Sequence, residues 1–144
     1  MKPKDYYAGV NIPDLGDKAL DVAVVGSGSF GTAMANLIVH NGHNVMIYGR
    51  NKAALDAMKE THVNSRYLPD AILSDRLEYS NDIGEAVSGK DMVVFAVPAQ
   101  TFRQVSSDAS KYLEDGVIAV NLAKGIEKNT LKRMSEVEIG RAHV

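Results

Sequence analysis

Residues 26–31 read Gly-Ser-Gly-Ser-Phe-Gly and stand directly between two apolar segments of different period. Few folds allow that junction. Before it, Val22-Ala23-Val24-Val25 has the length and apolarity of a strand buried on both faces. After it, Ala33, Met34, Leu37 and Ile38 recur at helical spacing and Asn41-Gly42 supplies a stop, so a helix is expected over residues 30–41. A strand that passes through G-x-G-x-x-G into a helix opens a strand–helix–strand unit of a parallel sheet. Each glycine has its own task there. Gly26 permits the tight turn, Gly28 lets a pyrophosphate approach the backbone, and Gly31 lets the helix pack close to the strand. The unpaired N–H groups at the helix start add a partial positive charge for the phosphates.

The rest of the chain repeats the alternation. Strands are expected at Asn44–Tyr48, Leu77–Ser80, Met92–Val97 and Val117–Leu122. Helices are expected at Lys52–Glu60, Asp82–Ser88 with Asn81 or Asp82 as its cap, Gln100–Leu113, and from Thr130 to Val137. Thr61 to Asp75 is irregular around a Tyr67-Leu68-Pro69-Asp70 turn, and residues 1–19 are a polar leader with no regular element expected. Alternating strands and helices imply an α/β, Rossmann-like doubly wound parallel sheet with helices on both faces.

Composition removes several functional classes. The 144 residues, 45% hydrophobic, suit one domain, and a formal charge of −2 argues against nucleic-acid binding. The absence of cysteine excludes disulfide frameworks, thiolate catalysis and Cys-ligated metals. No apolar run reaches the ~20 residues of a membrane span. A cytoplasmic location is expected. His40, His43 and His62 lie scattered without a carboxylate at ligand spacing, so no metal site is expected. His40 is read as a helix-end residue, His43 as a turn residue, and Ser106-Ser107-Asp108 as a polar helix face. Tyr67 is read as packing ahead of a part in shaping the cofactor cleft, and Arg66 stands between a surface position and an approach to a phosphate.

The end of the second strand addresses the ribose. NAD-binding versions of this motif place an acidic residue there. Here the sequence is Tyr48-Gly49-Arg50-Asn51-Lys52. A guanidinium makes paired, charge-assisted bonds to a 2′-phosphate and stacks on adenine. NADP(H) is therefore favoured, with NAD(H) still open.

In finer detail, Gly26-Ser-Gly-Ser-Phe-Gly-Thr-Ala-Met-Ala35 resembles the opening of bacterial-type NAD(P)-dependent glycerol-3-phosphate dehydrogenases. Asn41-Gly-His-Asn-Val45, Asn64 with Arg66-Tyr-Leu-Pro69, Ala96-Val-Pro98 and Ala123-Lys-Gly-Ile-Glu127 follow in the family's order, from about Val22 to Val137. The resemblance implies reversible reduction of dihydroxyacetone phosphate to sn-glycerol 3-phosphate, a phospholipid precursor. It implies that Ser29 and Phe30 contact the cofactor, that Arg50 meets the adenosine phosphate side, and that Lys124 touches cofactor and substrate. Pro98, after the fourth strand, lies at the carboxyl edge where ligands collect in such sheets.

The resemblance also implies that the family's general acid/base lysine and helical substrate domain lie beyond residue 144. No catalytic residue is therefore assigned within this chain. The chain is read as a C-terminally truncated cofactor-binding part (residues 20–137), inactive by itself, with a homodimer open for the full-length enzyme. One back-translation of Glu138–Val144, GAG-ATC-GGA-AGA-GCA-CAC-GTC, contains the start of a common sequencing-library adapter, so residues 138–144 are read as a non-native tail. Two other readings remain: another NADP-dependent reductase, of ketopantoate-reductase or 6-phosphogluconate type, and a stand-alone nucleotide-sensing module. The Lys124-Gly125-Ile126-Glu127 element speaks against the first, and Arg50 in place of an acid against the second.

Overall fold

The computed structural model of the chain describes residues 2–122. Lys124 with its neighbours, the helix expected from Thr130 and the 138–144 tail lie outside the described residues. Within them, five strands form one all-parallel sheet in the order β3-β2-β1-β4-β5. The strands are β1 Asp21–Val25, β2 Asn44–Tyr48, β3 Glu78–Ser80, β4 Met92–Phe95 and β5 Ile118–Asn121. The helices are α1 Ser29–His40, α2 Lys52–Thr61, α3 Ile83–Val87 and α4 Ala99–Ser110. β1 is central, with Val22 opposite Val45 on one side and Met92 on the other.

Strand alternation assigns each residue to one of two cores. Ala23, Val25, Val93 and Phe95 face α3 and α4, where Ala86, Phe102, Val105 and Ala109 are buried. Val22, Val24, Val45 and Ile47 face α1 and α2, meeting Ala35, Val39, Leu55 and Met58. Phe95 and Phe102 meet edge to face at 5.5 Å, the favoured arrangement for their ring quadrupoles. Burying a side chain of that size contributes roughly 1.5–3 kcal/mol.

The helix starts differ in a way that matters for the site. Asn51 caps α2, its Oδ1 accepting from the Ala54 N–H at 3.1 Å. Of the two candidates for α3, Asp82 is the cap, accepting from the Gly84 and Glu85 N–H groups. α1 has Gly28 as its cap, so no side chain occupies its first-turn N–H groups. α2 stops at His62, which adopts a left-handed φ of 60°.

β4 ends at Phe95, two residues sooner than expected, because the chain turns at Ala96–Pro98 into α4. α4 in turn ends at Ser110, short of Leu113. The polar leader carries a short 3-10 turn at Gly16–Lys18 that its composition did not announce. It also lies against the domain. Lys4 bridges in parallel to Ala71, and Tyr7 stacks on His40 at 4.0 Å with an interplanar angle of 9°. His40 is indeed the last residue of α1, and His43 accepts from the Leu20 N–H through Nδ1 at 3.0 Å. Ser106 departs from its reading as part of a polar face. It is 1% exposed, since its hydroxyl is satisfied by the Arg103 carbonyl at 3.1 Å and no longer needs water. On β3, the Tyr79 hydroxyl is buried without a hydrogen-bond partner among the described residues. Burial pushes its pKa up to about 12.

Candidate dinucleotide-binding site

The carboxyl ends of β1, β2 and β4 open onto a cleft of about 400 Å³. β1 is the strand from which the chain departs in both directions across the sheet, first to β2 and β3 and later to β4 and β5. This is the switch point at which a doubly wound sheet leaves a crevice.

The glycine turn forms the floor of the cleft. Gly26 has φ 127°, and a Cβ there would lie 2.4 Å from the Ala96 carbonyl oxygen. Only glycine lets β1 turn this close to the end of β4. A Cβ on Gly31 would lie 2.3 Å from the Gly26 carbonyl oxygen and 3.3 Å from the Ala96 Cβ, so Gly31 packs behind the turn and does not line the cleft. Gly28 is the reverse case. A Cβ there would meet nothing within 4 Å. The turn presents bare backbone to open space at the uncapped end of α1, the geometry that suits an approaching phosphate.

A buried amide pins this turn. Asn64, 5% exposed, donates through Nδ2 to the Ser27 carbonyl and to Thr32 Oγ1, each at 2.9 Å. Its Oδ1 accepts from the Tyr67 N–H at 3.2 Å. Thr32 Oγ1 also donates to the Ser27 carbonyl at 3.3 Å. Gly49 fits the same arrangement, since a Cβ there would lie 2.7 Å from Ser27 Oγ. Neither Gly49 nor this hydrogen-bond network follows from local sequence pattern, because Asn64 and Ser27 are 37 residues apart.

Two walls rise from the floor. Arg50 and Asn51 at the end of β2, Ala54 and Met58 of α2, and Arg66 with Tyr67 form one. Ala96, Val97, Pro98, Thr101 and Val105 form the other. Of the two readings of Tyr67, the structure favours the cleft over packing. Tyr67 is 47% exposed, because Asn64 holds its backbone at the cleft and leaves the ring out of either core. Among its described lining residues Arg50 and Arg66 are the charged ones, and none is a carboxylate. A smaller hollow of about 260 Å³ adjoins it, sharing Gly28 and Pro98 and adding Ser29, Phe30 and Leu122. The structure therefore brings Gly26, Gly28, Ser29, Phe30, Arg50 and Pro98 together around one turn. Among the described residues no cluster of His, Asp or Glu could hold a metal, and no helix is long and apolar enough to cross a membrane.

The model of the NAD-dependent glycerol-3-phosphate dehydrogenase N-terminus matches residues 21–141. The chain belongs to this family. It is 42% identical over 118 residues to the glycerol-3-phosphate dehydrogenase [NAD(P)+] of Syntrophotalea carbinolica, covering 82% of this chain and 35% of that one. It is 45% identical over 119 residues to the enzyme of the same name from Acinetobacter baylyi, covering 83% and 33%. The chain thus spans about a third of the length of these curated relatives. The crystal structure of glycerol-3-phosphate dehydrogenase from Coxiella burnetii superposes with a TM-score of 0.76 at 24% identity, over 88% of this chain and 38% of that one. That likeness shows the shared fold, and the family match decides among the three readings for the glycerol-3-phosphate dehydrogenases.

Proposed function

We propose that this chain is the cofactor-binding part of an NAD(P)-dependent glycerol-3-phosphate dehydrogenase that interconverts dihydroxyacetone phosphate and sn-glycerol 3-phosphate in the cytoplasm, with NADP(H) favoured over NAD(H). The observation that carries the reading is the open backbone at Gly28, at the uncapped start of α1, beside a cleft with two arginines and no described acid. A dinucleotide fits this arrangement. Its diphosphate finds N–H donors at Gly28 and Ser29, and its adenosine end lies toward β2, where Arg50 meets the 2′-phosphate. Ser29, Phe30 and Pro98 border the hollow on the far side of the turn and orient the other end of the cofactor. Gly26 and Gly31 shape the turn. Lys124, outside the described residues, takes the role the family resemblance gives it, toward cofactor and substrate.

The bound cofactor supplies the hydride. The protein's own contribution in this region is binding and orientation, which raises the effective concentration of the reacting carbon without any proton transfer by these residues. The product is the glycerol phosphate from which phospholipids are built, and the full-length enzyme is proposed to be a homodimer.

Titration of the full-length protein with NADPH and NADH, with Arg50→Glu alongside, tests the reading. A charge-assisted hydrogen bond is worth roughly 1.5–3 kcal/mol. Arg50→Glu should therefore weaken NADPH about tenfold to a hundredfold and leave NADH within a few-fold. A folded wild-type protein that binds neither dinucleotide would refute the site. Equal losses for both would refute the 2′-phosphate role of Arg50.

A further inference from the structure

Arg50 alone accounts for a 2′-phosphate contact, yet the cleft holds a second guanidinium. Arg66 is exposed and lines the same cleft. It has no ion pair among the described residues, where the single bridge joins Lys52 and Asp56. Its Cζ lies 5.1 Å from the centre of the Tyr67 ring. A cation over a ring face is attracted by the ring quadrupole and still has N–H donors for a ligand.

Position assigns the ligand group. Arg66 follows α2, on the wall that includes Arg50, Asn51, Ala54 and Met58. That is the β2 side of the turn, where a doubly wound sheet receives adenosine. The diphosphate is already served by the glycine turn and the start of α1. A second cation on the β2 side therefore has surplus charge for a plain ribose and matching charge for a doubly ionised phosphate. The backbone that carries Arg66 is also held in advance. Asn64 accepts from the Tyr67 N–H, and the Leu68 N–H donates to the Asn64 carbonyl at 2.8 Å. The backbone on either side of Arg66 is thus tied to the buried amide that fixes the turn, and little backbone ordering remains for binding.

We infer that Arg66 is a specificity-determining residue that shares the 2′-phosphate of NADP(H) with Arg50, an inference that rests on the dinucleotide reading above. The test compares wild type, Arg66→Ala, Arg66→Gln and Arg66→Lys in the full-length protein. Each is titrated with NADPH, NADH, adenosine 2′,5′-bisphosphate and adenosine 5′-monophosphate. The last two differ only in the 2′-phosphate.

Loss of Arg66 as Ala or Gln should weaken NADPH and the bisphosphate about tenfold or more, from one to two charge-assisted bonds. NADH and the monophosphate should stay within twofold, and Lys should recover part of the loss. Equal weakening of phosphorylated and unphosphorylated ligands would overturn the inference by placing Arg66 on a group they share. No change in either would overturn it by making Arg66 a surface residue. Wild type that binds neither dinucleotide would remove the site reading itself, and the inference with it. That failure shows in the unmutated protein, so the two cannot be confused.

Discussion

Two glycines three residues apart should fail in opposite ways. Gly28→Ala places a methyl in open space, with no heavy atom within 4 Å. The backbone there, φ −75° and ψ −170°, is open to alanine. Reduced freedom in the unfolded chain gains about 0.4–1 kcal/mol. Alanine is a poorer helix cap than glycine by a similar amount. The two offset, so stability should hold within about 0.5 kcal/mol. Binding should not hold, because the methyl takes the space proposed for the diphosphate. Losing one or two charge-assisted backbone bonds costs at least about tenfold in affinity. Gly31→Ala reverses the pattern. Its methyl would sit 2.3 Å from the Gly26 carbonyl oxygen and 3.1 Å from the carbonyl carbon. These are backbone atoms and cannot swing aside, so α1 must move off β1. Overpacking of this kind costs about 1–3 kcal/mol. For a chain of 144 residues that is roughly 3–10 °C in melting temperature, at about 3 °C per kcal/mol. Thermal unfolding and NADPH titration of both variants read the two effects separately. A Gly28→Ala protein that binds NADPH normally, or a Gly31→Ala protein that melts with wild type, would refute the reasoning.

Asn64→Ala removes three hydrogen bonds and strands the Tyr67 N–H at the cleft. The expected loss is about 2–3 kcal/mol, read as a lower urea midpoint. Asn64→Asp should be no milder at neutral pH, since it sets an acceptor against the Ser27 carbonyl. An unchanged midpoint in both would show that the turn holds without the amide. Tyr79, its phenol pushed up to about 12 by burial, couples folding to alkaline pH. A phenol ionises near 10 in the unfolded chain. Its raised folded value means that the protonated form is favoured by folding. Its contribution is complete below pH 10 and is lost as pH rises toward 12. Tyr79→Phe should remove that part of the decline and leave neutral-pH stability unchanged or slightly higher, because an unpartnered hydroxyl is deleted. A variant whose stability falls between pH 10 and 12 as steeply as wild type would contradict this.

The parts of this domain legible in the sequence are those with local signals. The glycine turn announces itself because its spacing and its flanking periods are set within ten residues, and Arg50 because it falls at a fixed place after the second strand. All five strands are legible in the apolar runs to within one or two residues at their ends, the larger difference falling where β4 gives way to the Ala96–Pro98 turn. What stayed hidden depends on partners distant in the chain. The chemistry of Asn64 lies in its bonds to Ser27 and Thr32, and no periodicity marks a side-chain amide with such partners. Tyr67 is readable from its residue type either as packing or as a wall of the cleft, and local pattern does not choose between them. Only the anchored backbone turns the ring outward. Ser106 looked polar by type and is buried because one intrahelical carbonyl satisfies it.

The central position of β1 also sets how the two walls of the cleft are assembled. Asp21, at its start, accepts from the Asn44 side chain 23 residues on, and through its own N–H it donates to Asp91, 70 residues on. Loop-closure entropy grows as the logarithm of length, so the second closure costs about 1 kcal/mol more than the first. The β2 wall, with Arg50, is thus joined to the glycine turn by the shorter tether. The β4 wall is held by the longer one, so the crevice is built from an entropically cheap half and a dear one.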